Sequence, residues 1–103
     1  MLLNLPIIIE GLGSPITIKA DATEAYGYFD ERTGEIGIRA EADAIEQHVI
    51  ILHEFLHLTA TTLKQAGAIR KQPDEQFIVN AATQLTVLLA KAGMLTHLGP
   101  ADV

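Results

Sequence analysis

The sequence predicts an α+β fold: a small, three- to four-stranded, mainly antiparallel sheet followed by two packed helices. Three observations lead there. Up to about residue 40, short apolar or alternating runs are punctuated by Gly and Pro, the pattern of strands and turns. Beyond it, Ile45, Val49, Leu52, Leu56 and Leu63 recur at helical spacing. A second helical pattern opens after Pro73, with Ile78, Ala82, Leu85 and Leu89 in one stripe and Ala81 and Leu88 beside it. The 103 residues make one domain, with the sheet in 1–40 and the helices in 41–66 and 73–95.

Taken in order, residues 5–10 read as a strand, ended by turn signals at 11–15. Residues 16–19 alternate apolar and polar, as expected of a half-buried strand pairing back on the first. A third strand is expected at 26–29 and a hairpin loop at 30–34. A fourth strand at 35–39 puts Ile36 and Ile38 on one face. The first helix should stop at Gly67, because glycine takes the left-handed conformation that closes a helix. It is apolar on most of its circumference, so burial is expected. Pro73-Asp74-Glu75 starts the second helix: proline suits a first turn, and acids there complement the dipole. Gly93 or Gly99 ends it, and the tail from Thr96 reads as irregular.

Hydrophobic residues make up 49% and aromatics only 5%, so the core is mainly aliphatic. There are no cysteines, which removes disulfides and thiolate ligands together. A net charge of −6 with scattered Lys and Arg argues against nucleic acid as a partner. The apolar N-terminus lacks the basic start and small-residue cleavage site of a signal peptide, so a strand is expected there. No run is apolar enough to span a bilayer, since Asn80, Gln84 and Lys91 interrupt the longest. A cytoplasmic protein without a membrane partner is the expectation.

The chemistry concentrates in His53-Glu54-Phe55-Leu56-His57. Helical residues four apart share a face, so His53 and His57 can aim both imidazoles at one point. Zinc takes such nitrogens at about 2 Å, with a third protein ligand and one position left for water. Glu54, one position round from His53, can serve as general base toward that water. This is the His-Glu-x-x-His pattern of zinc peptidases, and Zn2+ is the expected cofactor. His48 lies well round the helix and is expected to play no part.

The third ligand must come from elsewhere. Ala60 and Leu63 stand where an extended metzincin motif needs Gly and His. Glu75, eighteen residues beyond His57, opens the second helix one turn before Ile78 and tends toward the face packed on the first. Asp74 shares nearly that face and is the next candidate, with His97 in the tail a third.

In this order of motif helix and acid-bearing helix, the chain resembles the gluzincin class of zinc peptidases. It is most similar to their minimal single-domain versions, the archaeal minigluzincins and short phage-type proteins with the same motif. The resemblance covers most of residues 26–90. It implies that His53, His57 and Glu75 ligate zinc, that Glu54 is the general base and acid, and that the substrate is a peptide or protein. It also implies that Ile36, Gly37 and Ile38 belong to an edge strand, 36–39, along which an extended peptide pairs. Larger gluzincins carry an acid four positions after the glutamate ligand, where this chain has Val79. They also supply a Tyr or His beside the developing oxyanion, for which Tyr26, Tyr28 and His97 are the candidates here. A non-catalytic zinc-stabilised peptide-binding module is the alternative. So is a latent form, in which the tail puts His97 or Asp102 in the water's place. Peptide deformylases share the motif but need a cysteine ligand, which this chain lacks.

Overall fold

A computed structural model describes residues 3–10, 15–20, 27–30, 32–39, 41–96 and 98–100. The strands are β1 (Leu3–Leu5), β2 (Ile7–Ile9), β3 (Ile16–Lys19), β4 (Gly27–Asp30) and β5 (Glu35–Ile38). Two helices follow, α1 (Ala44–Gln65) and α2 (Glu75–Lys91), and then β6 (Leu98–Pro100). The main sheet has the order β2-β3-β5-β4. The expected α+β arrangement of a small sheet followed by two helices is present. The sheet is mixed rather than wholly antiparallel, because β5 returns from its hairpin with β4 to lie parallel to β3.

That return corrects the expectation for residues 35–39. β5 is an interior strand, paired to β3 on one side and to β4 on the other, and β4 is the outer one. Ile36 and Ile38 are 0% exposed and belong to the core with Leu5, Ile16, Ile18 and Ile51. Gly37 is also buried. Ile36, Gly37 and Ile38 are therefore not an edge strand for a peptide: Ile36 and Gly37 have strand partners on both sides, Ile38 pairs with Gly27, and the two isoleucines are packed in the core. Among the described residues, the strands at the two ends of this sheet are β2 and β4.

The expected first strand is two strands, interrupted at Pro6, of which β2 pairs antiparallel with β3 as expected. The tail is not wholly irregular. Its segment Leu98–Pro100 lies parallel to β1, in register from Leu3 and Leu98 onward. The turn residues 11–14, Tyr26, His97 and Asp102 lie outside the described residues.

Each helix is delimited by its own sequence. Asp43 caps α1, its carboxylate accepting the Glu46 N–H at 2.8 Å. Asp74 does the same for α2 through the Phe77 N–H, also at 2.8 Å. At the end of α1 the N–H of Ala68 reaches the Leu63 carbonyl and that of Gly67 the Lys64 carbonyl. This pair of bonds requires a left-handed residue at Gly67, where φ is 79°. The same pair recurs at Gly93, which settles which glycine ends α2.

α1 packs on β5 and β4, while α2 packs chiefly on α1. This layering corrects two burial expectations. α1 is not buried all round: Gln47, Ile51 and Ala60 are buried, but Ile45 and Leu63 are exposed. On α2 the buried line is Ile78, Ala82 and Thr86, and Leu85 and Leu88 face outward. A helix with one neighbouring layer buries a narrow stripe, so half of an apolar surface stays in water. Against the sheet the approach is tight. A Cβ added at Gly27 would collide with the Ile50 side chain and come within 2.8 Å of the Gly37 carbonyl oxygen. Glycine there lets α1 lie close over β4, whose Phe29 shares a cleft with Glu54 and His57.

Candidate metal centre

His53 and His57 lie one turn apart on α1, and Glu75 is the first residue of α2. Residues 66–74 carry the chain back along α1. Gln72 reaches Thr61 through an Nε2 to Oγ1 hydrogen bond of 3.1 Å. Three residues later Glu75 arrives at the histidines. The Asp74 cap fixes where α2 begins, and so where Glu75 stands.

The three side chains converge. His53 Nε2 is 2.6 Å from Glu75 Oε1, and His57 Nε2 is 2.9 Å from Glu75 Oε2. The two Nε2 atoms are 3.2 Å apart, with the rings tilted by 54°. The separation of the two nitrogens is the distance that bears on a shared ion. It is close to the spacing a shared tetrahedral ion requires: arms of about 2.05 Å set ligand atoms about 3.3 Å apart. Among the described residues, His53, His57 and Glu75 form a group that could hold a metal ion. Their donor set of two imidazoles and one carboxylate fits zinc in chemistry as well as spacing.

The hydrogen bond from His53 is the main cause that holds the Glu75 carboxyl below its ordinary range. Desolvation opposes it, and the charges of His57 and His53 add to it. A carboxylate kept ionised is in the form that binds metal. The Glu75 side chain is 60% exposed, so the centre is open to solvent on that side.

Glu54 lies beside this group. Its Oε1 is 3.8 Å from His53 Nδ1, and its side chain is 18% exposed. With His57, Thr61, Phe29, Gln72 and Pro73 it lines a cleft of about 570 Å³. Ligand and carboxylate therefore face one space bounded by α1, the loop before α2 and the outer strand β4.

The other candidates separate. Asp74 spends its carboxylate on the helix cap and is not in the converging group. His48 donates its Nδ1–H to the Ala44 carbonyl at 2.7 Å, within its own helix. Phe29, Thr61, Gln72 and Pro73 are cleft residues that the motif did not indicate. Thr61 had a readable signal, since it falls four residues after His57 and seven after Glu54, on their side of the helix. Gln72 sits in a loop, and no periodicity points to it.

No family model matches the sequence, and no curated protein or solved structure matches the chain. The reading of the centre rests on its own geometry. No helix among the described residues is long and apolar enough to cross a membrane.

Proposed function

We propose that this chain is a zinc-dependent metallopeptidase of the minimal gluzincin kind. The observation that carries the reading is the cleft: Glu54 faces the same space as His57, whose Nε2 meets His53 Nε2 and the Glu75 carboxylate. Zinc bound by these three residues would polarise a carbonyl and bring the pKa of water to about 7. The exposure of Glu75 favours a centre with a position open to solvent over a closed structural site.

The chain's residues then divide the work. His53 and His57 bind through Nε2, and Glu75 through its carboxylate. Glu54 accepts a proton from the attacking water and delivers it to the leaving amine as the peptide C–N bond breaks. An extended peptide lies in the cleft beside Phe29 of β4. The cleft replaces β5 as the substrate surface.

The test is cleavage of a mixture of unstructured peptides by zinc-loaded protein, read by mass spectrometry. Wild-type protein is expected to cut, and Glu54→Gln to keep its zinc and lose about 10²–10⁴ in rate. Zinc-loaded wild type that cuts nothing, or Glu54→Gln that cuts at the wild-type rate, overturns the assignment.

A further inference from the structure

The geometry points to a main-chain binding subsite formed by Thr61 and Gln72, which grips a bound peptide about two residues from the bond that is cut. It rests on the metallopeptidase reading and adds residues to it.

The cleft offers four polar side chains: Glu54, His57, Thr61 and Gln72. Glu54 and His57 are committed to proton transfer and ligation. Thr61 and Gln72 remain, and they are joined to one another, Gln72 Nε2 donating to Thr61 Oγ1 at 3.1 Å. That bond uses one of the two amide hydrogens. Among the described residues, a second N–H, the amide oxygen and the threonine hydroxyl hydrogen are left. The pair therefore offers both donors and an acceptor to whatever enters the cleft. A peptide main chain presents one acceptor and one donor per residue, so the match is to backbone rather than to a particular side chain. Phe29 and Pro73, the remaining lining residues, are apolar and supply contact without adding charge.

Distance decides between two roles for the pair. A donor that stabilises the developing oxyanion must stand about 3 Å from that oxygen. Thr61 is four residues past His57, which is about 6 Å along a helix rising 1.5 Å per residue. An extended chain rises about 3.3 Å per residue, so 6 Å corresponds to about two residues of substrate. The pair lies too far along for the oxyanion and at a suitable distance for the adjoining main chain. Thr61 and Gln72 are thus positioning residues that fix the register of the substrate against the centre.

The bond between them has a competing meaning, as a clasp that fastens residues 66–74 to α1 and so places Glu75. A test must separate grip from clasp without relying on turnover. Zinc content is measured first, by elemental analysis of wild type, Gln72→Ala and Thr61→Val. Binding of acetohydroxamate and of two series of longer hydroxamates is then measured by calorimetry on the zinc-loaded proteins. One series is extended by residues on the acyl side and the other on the amine side.

In one series, wild type is expected to gain affinity when the second residue is added. Gln72→Ala and Thr61→Val are each expected to remove that gain, roughly 3- to 10-fold, the worth of one hydrogen bond. Acetohydroxamate affinity and zinc content should stay unchanged. A gain that survives both substitutions overturns the subsite, as does the absence of any gain in wild type. Equal weakening of every hydroxamate together with lost zinc identifies a clasp only, and also overturns it. Wild-type protein that takes up no zinc defeats the metallopeptidase reading itself, and this inference falls with it.

Discussion

Asp74 and Glu75 are adjacent acids at the start of one helix, and the structure gives them different work. Asp74 accepts the Phe77 N–H and caps α2, while Glu75 turns both carboxylate oxygens to the histidines. Their substitutions should separate accordingly. Asp74→Ala removes a cap and is expected to cost about 1 kcal/mol of stability in denaturant unfolding, with one zinc still bound. Glu75→Ala is expected to weaken zinc by more than about 100-fold, the upper end of what losing a merely supporting residue costs. A competition titration against a chromophoric chelator measures both. Loss of zinc in Asp74→Ala with retention in Glu75→Ala reverses the roles. The sequence made Glu75 the leading candidate because Pro73-Asp74 announces a helix start, which fixes the phase of the next helical turns. It could not show that Asp74 would be consumed as the cap.

At the scale of elements, the motif was legible because its geometry is local: a helix brings residues four apart together whatever surrounds it. The helix end at Gly67 was legible for the same reason, whereas the sequence left Gly93 and Gly99 open for α2 and the structure decides for Gly93. The place of β5 in the sheet was not. Whether a strand is outer or interior depends on where other strands come to lie, and nothing within Glu35–Ile38 records that β4 would take the outside. The layering of α2 behind α1 is equally non-local, which is why Leu85 and Leu88 were expected inside and stand outside. The corrected role of β5 has a consequence for stability. Ile38 is 0% exposed, so Ile38→Ala should cost about 2–5 kcal/mol, with metal affinity of the folded protein unchanged. Chemical denaturation followed by circular dichroism measures it. A neutral Ile38→Ala would mean that the strand is not in the core as described.

For the whole molecule, the centre joins the two elements that pack most extensively on one another. α2 packs mainly against α1, and its buried line is only Ile78, Ala82 and Thr86. A metal held by His53 and His57 on one helix and Glu75 on the other ties the pair together. Binding to the native state alone stabilises it by mass action. Removing zinc with a chelator should therefore lower the thermal midpoint, and restoring zinc should recover it. The central claim is the three-residue centre itself, and its most direct measurement is zinc per chain by elemental analysis. Purified wild type should carry one equivalent, and the His53→Ala/His57→Ala double variant should carry none. Full zinc content in the double variant would contradict the account.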